Sequence, residues 1–398
     1  MQVEPGGHRP ANGAPPSHLR IIAYLYLASV PFEIDIVLAG RSLTFWIGAL
    51  LAGAVGLNLA FSPRWAAGID RHVTIPVLSV VVLAWLSVVW SIDTGRTVHA
   101  ATVLTFVALS SLAAALAISG TFRTAVMALL AGTSIMSVRV LAADRDIDGR
   151  ADTVSNANDI AVLLALAVVF LVSQLLRPST DGRMRSVCLV AALVHLGALV
   201  ATGSRSGVLA LGISVIALVI VQMVRLRFGL LILSAGLVSF LASLTVTIGV
   251  DVPQRVLDIP GAIQGGSLNA REHFWDAALA GIPSAVGTGF GTTPAFMLQA
   301  VGIPAVMHSV YLGLALELGL LGIAVWSWMF GRLLIAARRS PWTQELFLMG
   351  VVVAVMATTL TLEARRPLWV YIALLASVAI RKGWLMRIES PVVRGPVP

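Results

Sequence analysis

Long apolar runs separated by short polar segments make up most of this chain. A helix needs about 20 apolar residues to cross the hydrocarbon core of a bilayer, and most of these runs approach that length. The pattern predicts an all-α, polytopic membrane protein with about twelve transmembrane helices, in one domain over residues 21–380. The predicted spans cover residues 21–40, 43–61, 73–90, 99–118, 124–142, 158–175, 186–201, 206–223, 229–248, 309–336, 344–362 and 368–380.

Composition excludes a soluble domain. Charged residues make up 12% of the chain and hydrophobic residues 58%, whereas soluble domains carry about 25% charged residues. Residues 1–20 are rich in Pro, Gly and Ala and precede no cleavage-site pattern, so they predict a disordered cytoplasmic tail, not a signal peptide. The single cysteine, Cys188, excludes a disulfide framework.

The net charge is +8, and the cations lie in the polar segments that separate the apolar runs. This placement favours anchoring in the bilayer over binding to nucleic acid. With the N-terminus in the cytoplasm, 17 of the 27 cations fall in cytoplasmic segments, so the positive-inside rule selects this orientation, with a second cytoplasmic tail at 381–398. These 17 are Arg9, Arg20, Arg64, Arg71, Arg123, Arg177, Arg183, Arg185, Arg225, Arg227, Arg332, Arg338, Arg339, Arg381, Lys382, Arg387 and Arg394.

One external connection is long, at residues 249–308. Loops of this length in compact proteins are usually functional or disordered, and the apolar residues here favour order. We therefore expect short helices on the outer surface. Within the loop, Gly287–Gly291 reads as a flexible glycine turn and lacks the strand context of a nucleotide fingerprint. The apolar residues are Phe274, Trp275, Ile282, Phe290, Phe296, Met297, Leu298 and Val301.

Two external segments place arginines where an anion could bind. Arg205 lies in the polar turn Thr202–Gly207, whose small residues let an anion approach the guanidinium closely. Arg271 and Trp275 are spaced i, i+4 at the start of an amphipathic helix in the long loop. Taken singly, an ordinary hairpin turn and a plain interfacial helix would look similar.

His308-Ser309 immediately precedes the span that contains Glu317. A partly solvated histidine titrates near neutrality and can act as a general base, although lone histidines are more often structural. Together, two arginines could neutralise a diphosphate leaving group while a histidine takes a proton from an attacking hydroxyl. External carboxylates and histidines show no metal-ligand spacing, so we predict neither a metal nor a cofactor.

These motifs resemble the O-antigen ligase and polymerase superfamily of bacterial envelope glycan enzymes. The ligase signature is a histidine, a small polar residue, nine residues and G-x-x-G, and the chain has the same spacing. The motifs that carry the resemblance, in the family's order, are Asn156-Ala157-Asn158-Asp159, Ser204-Arg205-Ser206-Gly207, Arg271 to Trp275, and His308-Ser309 with Gly319 and Gly322.

The resemblance implies a metal-independent, inverting glycosyltransferase of the GT-C type in the bacterial inner membrane, with its active site facing the periplasm. Its donor would be an undecaprenyl-diphosphate-linked glycan, and its acceptor a sugar hydroxyl of lipid A-core or of another glycan. Arg205 and Arg271 would contact the diphosphate together with Ser204 and Ser309, and His308 would be the base. The expected partners are these substrates and membrane lipids, without nucleic acid.

The motifs leave other functions open. O-antigen ligase is the first choice, but polymerase and protein glycosylase use similar motifs. A secondary transporter is a rival from another class, because Glu33, Asp35 and Glu317 fall within predicted spans and intramembrane acids are functional candidates. Against it, the two halves of the chain show no repeat. A non-catalytic scaffold is the third alternative.

Overall fold

A computed structural model describes residues 15–33, 35–61, 70–144, 151, 156–223, 269–282, 286–338 and 340–389. Within these ranges the chain forms thirteen α-helices and one β-hairpin. The hairpin pairs two strands of two residues each, Val37–Leu38 (β1) and Arg41–Ser42 (β2). The helices are α1 Ser17–Ser29, α2 Leu43–Phe61, α3 Arg71–Leu86, α4 Thr94–Ala117, α5 Phe122–Ala142, α6 Ala157–Leu175, α7 Gly182–Ala201, α8 Arg205–Met223, α9 Asn269–Gly281, α10 Thr293–Val301, α11 Val310–Ala337, α12 Thr343–Ala357 and α13 Arg366–Glu389.

Seven helices are long and apolar enough to cross a bilayer: α2, α3 with its 3-10 extension to Trp90, α4, α5, α6, α7 and α11. Three shorter apolar stretches lie in α8, α12 and α13. The prediction of an all-α, polytopic membrane protein is confirmed. The predicted span at 229–248 lies outside the described residues, so the count of about twelve stays a prediction.

The first span differs from the prediction at both ends. Helix α1 begins at Ser17, inside the segment predicted to be a disordered tail, and ends at Ser29 instead of continuing to residue 40. A 3-10 turn at Val30–Phe32 and the β-hairpin follow. Pro31, which has no amide hydrogen and cannot continue an α-helix, lies in this turn. The prediction of a helix over 21–40 was wrong because the apolar run hides this break.

Helices α6 and α13 form the centre of the bundle. Every residue from Ile160 to Leu171 is buried, as is every residue from Arg366 to Val370 and onward to Ser377. Helix α6 packs against α7, α8 and α12, while α13 packs against α4 and α11. Small residues allow close approach, as is usual between membrane helices. A Cβ on Gly132 of α5 would lie 2.2 Å from the carbonyl oxygen of Ala28 in α1.

The bundle has two ends, which we name after one residue each. Helices α2, α4, α6, α8, α11 and α13 begin at the His308 end, and helices α1, α3, α5, α7 and α12 begin at the Trp342 end. Bonds between elements distant in sequence tie the His308 end together, including Ser204 to Asn158 and Arg365 to Asp159. The motifs at Asn158 and Arg205 therefore lie at the same end of the bundle as His308.

Candidate functional site

The turn before α8 is fixed to its neighbours. Gly203 has φ 65°, which reverses the chain after α7. The Ser204 hydroxyl donates to Asn158 Oδ1 at 3.0 Å and accepts from the Gly207 amide at 3.2 Å. A Cβ on Gly207 would lie 2.9 Å from the Ala161 side chain. The turn is thus more than an ordinary hairpin, because it joins α8 to the start of α6.

Arg205 is the first residue of α8 and is half-buried. The first turn of a helix presents unpaired amides and the positive end of the helix dipole, so it favours an anion. A guanidinium at this position adds a full positive charge and five donors to that preference. The local structure suits the anion-binding role predicted for Arg205.

His308 has a left-handed backbone, with φ 49°. This conformation is uncommon for a residue with a Cβ and is found mainly where the surroundings impose it. The imidazole is half-buried. Ser309 follows as the N-cap of α11, and its hydroxyl accepts from the Leu312 amide at 3.4 Å. Ser309 therefore caps a helix at this site.

Helix α9, which contains Arg271, is anchored beside His308. The Trp275 indole donates to the Met307 carbonyl oxygen at 3.2 Å. Around this bond lies a small apolar core that includes Ala278, Met297 and Leu316, all buried. Arg271 precedes Trp275 by about one helical turn on α9; its side chain lies outside the described part of the structure. The short helices predicted for the long loop are present as α9 and α10.

The glycine segment Gly287–Gly291 is held in place, so its interpretation as a flexible turn was wrong. Gly319 (φ 65°, ψ −163°) breaks the helical geometry inside α11. The carbonyls of Leu316 and Glu317, which a straight helix would satisfy itself, accept instead from the amides of Thr288 at 2.9 Å and Gly289 at 2.8 Å. The segment is inserted into the kink.

Glu317 secures the other side of the same segment. Its carboxylate accepts from the Gly291 amide at 2.8 Å, the Thr293 amide at 3.0 Å and the Thr293 hydroxyl at 2.6 Å. A Cβ on Gly291 would lie 2.4 Å from the Ala100 Cβ, so only glycine fits. Glu317 and the signature residue Gly319 thus act together in ordering the glycine segment that precedes His308.

The three acids that left a transporter as an alternative function have structural partners in the protein. Glu33 pairs with Arg366, and Asp35 pairs with Arg139 at 2.6 Å. Both lie at the His308 end of the bundle, where the short first helix leaves them, and Glu317 holds the glycine segment. Sequence reasoning missed both pairs. For Glu33 the signal was the adjacent Arg365 and Arg366 just before a span, and for Asp35 no local pattern indicated Arg139.

Glu363 is a titratable group that sequence reasoning also missed. It lies between α12 and α13, and its carbonyl accepts from the Trp369 indole at 2.8 Å. Its Oε2 is buried and has no hydrogen-bond partner within the described ranges. Burial, and secondarily the negative charge of Glu317, raises the pKa of Glu363 to about 8. This carboxyl group therefore titrates near neutral pH.

The fold and its polar end define a multi-pass, all-α membrane protein whose irregular backbone is gathered around His308. The protein-family model described as O-antigen ligase matches residues 189–327, about a third of the chain. The resemblance to the O-antigen ligase superfamily is thereby confirmed, and residues 189–327 are similar to a family of glycosyltransferase-like enzymes that act on glycans. The matched segment contains Arg205, Arg271 and His308. No curated protein matches the chain.

Proposed function

We propose that the protein is an O-antigen ligase that transfers a glycan from undecaprenyl diphosphate to a sugar hydroxyl of lipid A-core. The observation that carries the proposal is the match of residues 189–327 to the O-antigen ligase family. That segment includes the helix start at Arg205, the α9 helix anchored by Trp275, and the left-handed His308.

In the proposed reaction, the acceptor hydroxyl oxygen attacks the anomeric carbon of the diphosphate-linked sugar. The carbon–oxygen bond to the diphosphate breaks, and the configuration at the anomeric carbon inverts. His308 takes the hydroxyl proton, and undecaprenyl diphosphate leaves with the bonding electrons. This displacement makes the enzyme an inverting glycosyltransferase, which we assign to the GT-C type.

Arg205 and Arg271 stabilise the charge that develops on the leaving diphosphate. Preorganised donors aimed at developing charge supply a large part of enzymatic rate enhancement. For Arg205, support comes from its position at a helix N-terminus, beside the hydroxyl of Ser204. Ser309, already a cap for α11, contributes a further hydroxyl. In this scheme the arginines take the place of a metal ion.

We place the reaction at the periplasmic face of the bacterial inner membrane. Support comes from charge: the segments that the sequence predicts to be cytoplasmic hold 17 of the 27 cations, and the described Arg71, Arg123 and Arg183 lie at the Trp342 end. Under the positive-inside rule that end is cytoplasmic. The His308 end then faces the periplasm, where lipid-linked glycans are presented after crossing the membrane.

Deleting the gene and separating the surface glycans on a gel tests the assignment. A ligase predicts that lipid-linked polymer accumulates without attachment to lipid A-core. Single repeat units on the core would instead identify a polymerase, the alternative within the superfamily. An unchanged glycan profile would contradict both. Complementation by His308→Ala with wild-type yield from pH 5 to 8 would remove His308 as the base.

A further inference from the structure

A groove with a cavity volume of about 220 Å³ lies between α5, α6 and α7. Two polar side chains in its wall are already bonded to protein. His195 bonds to the Thr133 hydroxyl at 2.9 Å, and the Gln174 amide donates to Glu345 at 3.1 Å. The groove therefore presents mainly hydrocarbon to an occupant. Its apolar wall includes Met127, Leu130, Phe170, Leu171, Met184 and Val187.

The groove is open to the bilayer along one side. Met127 and Ala131 on α5 and Val187 on α7 line it and are exposed on the protein surface. Both helices are long and apolar enough to cross a membrane, so the exposed side of the groove faces lipid. An acyl chain can enter it sideways from the bilayer.

The length of the groove matches one leaflet. Its lining extends along α5 from Arg123 to Ser134 and along α7 from Met184 to His195. Each stretch is about 17 Å long at 1.5 Å of rise per residue. This is about half of the hydrocarbon thickness of about 30 Å, which is the depth that one phospholipid chain covers.

Arg123 lies at the mouth of the groove. It is the second residue of α5, so it lies at the Trp342 end, and its side chain is exposed. Phe170 in the groove wall lies 6.2 Å from Trp342, measured between ring centroids, and tryptophan is typical of the membrane–water interface. The Arg123 guanidinium is therefore at the level of the lipid head groups.

The charge around this mouth favours an anion. None of the described carboxylates forms an ion pair with Arg123. Arg183 and Arg185, on either side of the lining residue Met184, add two exposed cations. Asp181, the acid in the same turn, accepts from the Met184 amide at 2.8 Å as the N-cap of α7. The cations outnumber the acid, so a head group with net negative charge fits better than a zwitterionic one.

We propose that this groove binds an anionic phospholipid from the leaflet at the Trp342 end, with one acyl chain in the groove and the phosphate on Arg123. The site is separate from the His308 end and does not rest on the proposed function. A bound lipid would join α5 to α7, and α7 leads into the turn before Arg205. The occupant is thus a structural lipid that stabilises the packing of α7.

Native mass spectrometry of the purified protein in detergent tests this inference. The probes are phosphatidylglycerol and phosphatidylcholine with identical acyl chains. Wild type should bind phosphatidylglycerol more tightly, and Arg123→Gln should weaken that binding about fivefold, the effect of one cation at an anionic lipid. Arg71→Gln is the matched control, because Arg71 is exposed at the start of α3 at the same end and does not line the groove. It should leave both affinities unchanged.

Filling the groove gives a second test that does not change any charge. Ala131→Trp should weaken phosphatidylglycerol binding about tenfold, because the acyl chain loses apolar contact with the wall. Ile135→Trp is its control, since Ile135 is 58% exposed on the same helix and does not line the groove. Equal wild-type affinities for the two lipids, equal losses in Arg123→Gln and Arg71→Gln, or unchanged binding in Ala131→Trp would each overturn the site.

Discussion

The two ends of the bundle are built differently. Of the ten described residues with positive φ, nine lie at the His308 end or in the Gly319 kink that opens onto it, and only Gly120 lies at the Trp342 end. At the Trp342 end, Arg177 stacks on Trp342 at 4.3 Å and pairs with Glu345 at 3.0 Å, and Gln174 donates to the same carboxylate. This polar cluster joins the end of α6 to the start of α12.

We propose that the two ends have different roles, with chemistry at the His308 end and stabilisation at the Trp342 end. Strained backbone is retained where the surroundings impose it, and such positions concentrate at functional sites. At the His308 end, kinked α11, the inserted glycine segment and the left-handed His308 form one connected unit. The Trp342 end offers no comparable irregularity within the described ranges. We therefore expect substitutions at the two ends to have separable effects on activity and stability.

Substitution of single arginines should give the largest difference in glycan transfer between the two ends. Arg205→Gln or Arg271→Gln removes a cation from the leaving group and should lower glycan transfer about 10²- to 10³-fold, the effect of deleting one preorganised donor. Arg183→Gln, exposed at the Trp342 end, should transfer within about twofold of wild type. Initial rates with purified protein and lipid-linked glycan measure this. Near-normal transfer by Arg271→Gln would show that Arg271 does not belong to the proposed site.

Glycine substitutions compare the two ends directly. Gly120 and Gly291 both have positive φ, but a Cβ meets nothing within 4 Å at Gly120 and lies 2.4 Å from the Ala100 Cβ at Gly291. Gly120→Ala should cost about 1–2 kcal/mol from backbone strain, and Gly291→Ala should cost a further 1–3 kcal/mol, roughly, from overpacking. Thermal unfolding in detergent gives both values. Equal losses would mean that the glycine segment is not held as described.

Arg177→Met tests the Trp342 end. It leaves the buried Glu345 carboxylate without its cation and should destabilise the protein by about 2 kcal/mol, while transfer per folded molecule stays within about twofold of wild type. Unfolding and initial rates on the same preparation separate the two effects. A large fall in turnover with unchanged stability would assign this end a part in the reaction.

The smallest expected effect concerns pH. The Glu363 carboxyl keeps its proton up to about pH 8 in the folded protein, whereas its ordinary pKa is 4.5. Because the folded state binds the extra proton between these values, this group makes stability fall as pH rises from about 4.5 to about 8. In Glu363→Gln this decline should be smaller, so that the fall in Tm between about pH 4.5 and pH 8 is about 2–4 °C less than in wild type. Parallel Tm–pH curves for both proteins would contradict the assignment.

Sequence periodicity predicted most of the helices because apolar length is what a bilayer requires. It failed at residues 30–40, where Pro31 and two paired acids are hidden in an apolar run. For the candidate site, the motifs predicted that Arg205 and His308 lie at one face, and both lie at the same end of the bundle. They could not show that Glu317 and Gly319 hold the glycine segment, because those contacts join residues about 25 positions apart through a kink that no local pattern reveals.

We propose that the His308 end transfers a glycan from a lipid diphosphate. Purified protein in proteoliposomes, supplied with undecaprenyl-diphosphate-linked glycan and lipid A-core, tests it most directly, with the product's anomeric configuration determined by NMR. We expect core-linked glycan of inverted configuration, formed by wild type and by Arg183→Gln but not by Arg205→Gln. A retained configuration, or equal transfer by all three proteins, would contradict it.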